Sequence, residues 1–162
     1  MLADTNTEST TERHEIDPVF KEVMTVSFEQ LELPIQTQVE VSRLPRTMDA
    51  LVVLKQYNTL NKVRAETVFN YFCIHNQLEL KGKEDALTLS GYRLILGRAN
   101  LYLGENNLSA KEMTVTIICA RKPRKILYHC LDDVRWKKIG EGHYVSTDPL
   151  PVHLFMCNEL PI

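Results

Sequence analysis

Apolar and polar positions along the chain change period several times, and each change marks an element. Residues 1–13 are polar, rich in Thr and Glu, and predicted to be a disordered tail. Phe20, Val23, Met24, Phe28 and Leu31 then recur at helical spacing, with Lys21, Glu22, Thr25, Glu29 and Glu32 on the other side. Asp17-Pro18 gives this helix a start and Pro34 a limit. Ile35 to Val41 alternates with period two, Arg43 to Arg46 reads as a turn, and Leu51 to Leu54 form a contiguous apolar run, so an antiparallel strand pair is predicted. Residues 56–65 read as a polar connection, and the sequence AETVFNYFCIHN at 65–76 leaves strand and short helix both open.

The segment NQLELKGKE, residues 76–84, is the third strand, turned by Gly82. Thr88 or Ser90 caps a following helix whose Leu94, Ile95, Ala99, Leu101 and Tyr102 press on the sheet and which Gly104 ends. Residues 113–120, MTVTIICA, have the unbroken apolar character of a central strand. After the basic turn Arg121 to Lys125, residues 126–131 read as extended, Trp136 to Val145 as a hairpin around Gly140 and Gly142, and residues 152–160 as a closing strand. The fold class is therefore α/β (α+β): a mixed central sheet flanked by helices, with an extra β-rich C-terminal segment.

Composition narrows this to one soluble domain, residues 14–162, since 162 residues with 44% hydrophobic and 25% charged content bury a single core. No apolar run has the length of a membrane span, and no basic stretch followed by an apolar one opens the chain, so no membrane partner and a cytoplasmic location are expected. Cys73, Cys119, Cys130 and Cys157 lack CxxC spacing and read as reduced core thiols. The net charge of -2 conceals an acidic first 33 residues, at -6, and a remainder at +4, which permits a polyanionic partner.

Within the third strand, a two-residue period sends Leu78 and Leu80 to one face and Glu79 and Lys81 to the other. Asp49 stands at the mouth of the preceding buried strand. A carboxylate beside an ammonium on a short strand, with a second carboxylate upstream, suits a site that holds a metal ion or an anion. The order helix, strand, strand with Asp49, strand with Glu79-Leu80-Lys81, helix, strand resembles the PD-(D/E)XK nuclease superfamily. HEIDPVFKEVM and HNQLELKGKEDALT are similar to the recombination-promoting nuclease and transposase-like group of bacterial proteins within it. The resemblance covers most of residues 14–120. Thr47-Met48-Asp49 replaces the Pro-Asp of the motif, and Arg98-x-x-x-Tyr102 stands where some members carry Gln-x-x-x-Tyr.

The resemblance implies a restriction-endonuclease-like fold and a metal-dependent DNA endonuclease. Phosphodiester hydrolysis needs an activated water and relief of phosphoryl charge, which a carboxylate-held divalent ion supplies. Asp49, Glu79 and the Leu80 backbone carbonyl would offer hard oxygens to Mg2+ or Mn2+, with Lys81 orienting the water. Glu22, or Glu29 in its place, is the candidate third acid. Arg43, Arg46, Arg98, Tyr102, Arg121, Lys122, Arg124 and Lys125 are the candidate DNA contacts, and cutting both strands would call for a homodimer. The bland alternatives are Asp49 capping the turn with Arg46, Glu79 and Lys81 as an exposed cross-strand pair, Arg98 pointing outward, and Lys83, Glu84 and Asp85 as a solvated turn. Two further function classes stay open: a catalytically silent relative that binds nucleic acid or protein, and an unrelated α/β interaction protein. The last predicts Asp49, Glu79 and Lys81 scattered, and a side chain plugging the site would favour the silent form.

Overall fold

The structure, a computed structural model, describes residues 8–40, 47–129 and 133–159. Its elements are α1 (Glu8–Glu29), β1 (Ile35–Glu40), β2 (Thr47–Val53), α2 (Tyr57–Glu66), β3 (His75–Lys81), α3 (Leu89–Glu105), β4 (Met113–Cys119), α4 (Arg124–Tyr128), β5 (Trp136–Gly140), β6 (His143–Ser146) and β7 (Val152–Met156). The seven strands form one mixed sheet in the order β1-β2-β3-β4-β7-β6-β5. β1, β2 and β3 pair antiparallel, β3, β4 and β7 run parallel, and β7, β6 and β5 pair antiparallel again. α3 is the crossover that returns the chain so that β3 and β4 lie parallel. The C-terminal strands thus continue the same sheet through β7 on β4. Among the described residues no helix is long and apolar enough to cross a membrane.

Strand alternation gives the sheet two covered faces. Leu51, Val115, Ile117 and Leu154 pack under Tyr92, Ile95 and Ala99 of α3. The alternate residues Ala50, Val52 and Leu78 meet Phe20 and Phe28 of α1, Leu60 and Val63 of α2, and Phe72. α3 starts where Thr88 caps it, its hydroxyl oxygen accepting the Gly91 N–H at 3.0 Å. The β5–β6 turn needs a glycine, because Gly142 has φ +61° and a Cβ there would lie 2.9 Å from the Met156 carbonyl oxygen.

Several elements differ from expectation. α1 begins at Glu8, so residues 8–13 are helical and Pro18 lies inside the helix. Pro18, unable to donate to the turn before it, leaves the helix weakest there. Val23 is 51% exposed because Phe20, Met24, Phe28 and Leu31 form the buried stripe without it. Residues 57–66, expected as a connection, are α2, a polar helix anchored by Leu60 and Val63 alone. The open segment becomes neither strand nor helix over residues 67–74; it is an irregular stretch held by aromatic packing, with Phe69 and Phe72 centred 4.5 Å apart. α4 replaces the extended piece, turned in by the Leu127 N–H bonding the Pro123 carbonyl at 3.0 Å. Cys157 is exposed rather than a core thiol, and Cys130 lies outside the described residues.

On the α1 side of the sheet, His143 Nε2 lies 3.0 Å from His153 Nδ1, and the Tyr71 ring stacks on His153 at 3.4 Å. Burial pushes His143 down to about 4. Burial, with the nearby His143, pushes His153 down to about 3. The unfolded chain therefore takes up protons below about 6.5 that the folded protein refuses, so this pair stabilises fully above that pH and progressively less as the pH falls toward 4. Urea melts between neutral pH and pH 4 are expected to show the decline, and His143→Phe with His153→Phe to flatten it.

Candidate functional site

Asp49 and Glu79 meet where β2 and β3 part. The ladder between the two strands ends at Ala50 opposite Leu78, and one step further the Asp49 carboxylate takes over, its Oδ2 accepting the Leu80 N–H at 2.8 Å. Consecutive residues of a strand send their backbone groups to opposite edges. Lys81 turns its carbonyl toward β4, where it accepts the Ala120 N–H at 2.8 Å, so the Leu80 carbonyl faces the same fork as Asp49. The other edge of β2 is irregular at the same level: Gln38, between the pairs Thr37–Ala50 and Val39–Met48, has φ 53°. A left-handed non-glycine residue inside a strand costs on the order of 1–3 kcal/mol, strain of a kind that gathers at functional sites.

Glu79 lies beneath α3, 2% exposed, rather than on an open face. Its Oε2 accepts from Arg98 Nη2 at 3.0 Å and its Oε1 from Gln77 Nε2 at 2.6 Å. Burial first, and then the negative charge of Asp49, push the Glu79 carboxyl up to about 7, against the opposing pull of Arg98 and the Gln77 amide. Two buried atoms of this group have no hydrogen-bond partner, Gln77 Oε1 and Arg98 Nε. Lys81 Nζ pairs with Asp85 Oδ2 at 2.9 Å, so Asp85 holds the lysine at the end of β3 instead of belonging to a free turn.

The expected residues therefore divide. Asp49, Glu79 and the Leu80 backbone converge, with Lys81 two residues beyond on the same face of β3. Arg98 points inward onto Glu79, and Tyr102, one turn on, bonds His75 Nδ1 through its hydroxyl at 2.9 Å. Glu22 and Glu29 are exposed on α1, whose Phe20 and Phe28 pack on the opposite face of the sheet, so neither reaches the fork. Arg43 and Arg46 lie outside the described residues, and with them the turn that Asp49 was weighed as capping. Arg121, Arg124 and Lys125 are exposed beyond the end of β4, beside the end of β3, while Lys122 pairs with Glu159 at 3.0 Å. Gln77 was not anticipated, although it shares the two-residue period of Glu79 and Lys81.

These oxygens suit a divalent ion in kind: two carboxylates and a carbonyl at one fork, with the remaining positions left for water and phosphate. Among the described residues, no group of three or more His, Cys, Asp or Glu side chains is placed to hold a metal ion. Comparison with protein families, with curated proteins and with solved structures finds no match for this chain.

Proposed function

We propose that this chain is a metal-dependent DNA endonuclease of the PD-(D/E)XK type with a restriction-endonuclease-like fold. The observation that carries the reading is the convergence of Asp49, Glu79 and the Leu80 carbonyl at the β2–β3 fork, with the Glu79 carboxyl raised partly by Asp49. Two carboxylates that oppose each other's ionisation form a seat for added positive charge.

In this reading Asp49, Glu79 and the Leu80 carbonyl hold Mg2+ or Mn2+, which when bound supplies an activated water and offsets charge on the phosphoryl group. Asp85 keeps the Lys81 ammonium at the mouth of the site, from where it orients the attacking water and offsets developing negative charge. Arg121, Arg124 and Lys125 extend positive charge outward along the ends of the parallel strands, where a phosphate backbone would track. Replacing Arg121 and Lys125 with Glu is expected to weaken binding evenly across DNA sequences and to lower the slope of log K against log salt by about 1 for each lost phosphate contact, read by fluorescence anisotropy.

A second reading has its own observation: the Arg98 guanidinium sits on Glu79 Oε2, as in a silent relative whose arginine replaces the ion and whose sheet only binds nucleic acid or protein. Plasmid and linear DNA incubated with the protein and Mg2+ or Mn2+ separate the two. Nicking or cutting supports the endonuclease; intact DNA with both metals rejects it in favour of the binding domain.

A further inference from the structure

Arg98 reaches down from α3 and touches Glu79 through one nitrogen only. Its Nη2 lies 3.0 Å from Oε2, while its Nε is buried without a partner. An arginine paired with a carboxylate frequently makes two parallel bonds; this one makes one and leaves another donor stranded. Gln77 is in the same state, wholly buried with Nε2 on Glu79 and Oε1 unpartnered. The arrangement around Glu79 is thus incompletely satisfied on both sides. The Arg98 side chain is 20% exposed against 3% for Glu79, so the arginine has a way out and the glutamate has none.

The charges that meet here are Asp49 from β2, Glu79 from β3 with the Lys81–Asp85 pair further out, and Arg98 from α3. A divalent ion seated on Asp49 and Glu79 would lie close to the guanidinium, and two cations brought together on one buried carboxylate repel each other. We infer that Arg98 is a latch: it occupies Glu79 in the metal-free protein, competes with the divalent cation for that carboxylate, and withdraws when the cation binds. This rests on the metal reading of the fork and adds to it a reason for the single-point contact. Withdrawal relieves the buried Nε and turns the guanidinium toward the mouth, where it meets the substrate phosphate.

The test is Mn2+ binding by calorimetry to the native protein and to Arg98→Gln, with Asp49→Asn as the ligand control. Glutamine keeps a hydrogen-bond donor and removes the charge. Arg98→Gln is expected to bind Mn2+ about tenfold more tightly, or to bind where the native protein does not, and Asp49→Asn to lose the ion in either background. Equal affinity in the two proteins overturns the latch and leaves the metal site standing; weaker binding by Arg98→Gln overturns it by making the arginine a support of the site. No Mn2+ binding by either protein removes the metal reading and the latch together. A readout on the native protein covers a variant that fails to fold: the buried Arg98 Nε–H is expected to exchange with solvent faster at Mg2+ saturation than in the metal-free protein in NMR spectra. Unchanged protection at saturation overturns the latch.

Discussion

Asp49→Asn is expected to abolish Mg2+- or Mn2+-dependent DNA cleavage, and Lys81→Ala to lower it about 10²–10³-fold, the usual cost of removing one electrostatic or proton-handling group from such a reaction. Asp49 contributes one of the two carboxylates described at the fork, so on the metal reading its loss would leave Glu79 and a carbonyl to hold a doubly charged ion. Asparagine is the better first substitution than alanine, because the Asp49 side chain also accepts the Leu80 N–H at 2.8 Å. An amide oxygen keeps that bond, whereas Asp49→Ala strands the N–H at a cost of about 1–3 kcal/mol and confuses loss of chemistry with loss of fold. Lys81→Ala removes the ion pair with Asp85, at 2.9 Å between partners 16% and 39% exposed; partly solvated as it is, the pair adds little stability. Circular dichroism and melting curves should match the native protein while cleavage disappears. Variants that cut as well as the native protein would take both residues out of the reaction.

Phe72→Ala is expected to destabilise the fold by about 3–5 kcal/mol, the range for deleting a fully buried phenylalanine. For a chain of this size that lowers the melting temperature by about 10 °C or more. Phe72 is 0% exposed and stacks at 4.5 Å on Phe69 and 6.3 Å on Phe28. The irregular stretch that carries it borders β3 with few backbone bonds, among them Leu54 N–H to the Ile74 carbonyl at 2.7 Å. Its position depends on these rings, which fasten α1 and α2 to the sheet face away from the fork. Urea denaturation measures the loss, and a change below about 1 kcal/mol would mean that the aromatic cluster lies outside the cooperative core. The affinity of the folded fraction for metal should not change, since the cavity opens on the opposite face.

The strands were legible because their signal is local. Leu78 and Leu80 pack on the α1 side and Glu79 and Lys81 on the other, as a two-residue period requires. A cap at Thr88 or Ser90, of which Thr88 is the one used, the central place of β4 and the hairpin around Gly140 and Gly142 followed from residue types alone. α2 and α4 did not, since each buries only two apolar side chains and so shows too little periodicity to separate from a connection. The stretch 67–74 was ambiguous because its aromatic residues satisfy neither period; they answer to Phe28 and to each other across the fold.

By itself the sequence determined which side chains of one strand share a face, since backbone period sets that, and so it placed Glu79 and Lys81 together, while Asp49 joined them only through the order of elements and the resemblance. What only the tertiary structure decided is what each of them meets. Asp49 and Glu79 are thirty residues apart in sequence and touch through the Leu80 backbone because β2 and β3 splay at that level. Glu79 is raised to about 7 because α3 covers it, Lys81 turns to Asp85, and Arg98 lies on Glu79 because the crossover from β3 to β4 lays its helix over that face. Burial and long-range charge act through space, and the chain order of the residues does not record them.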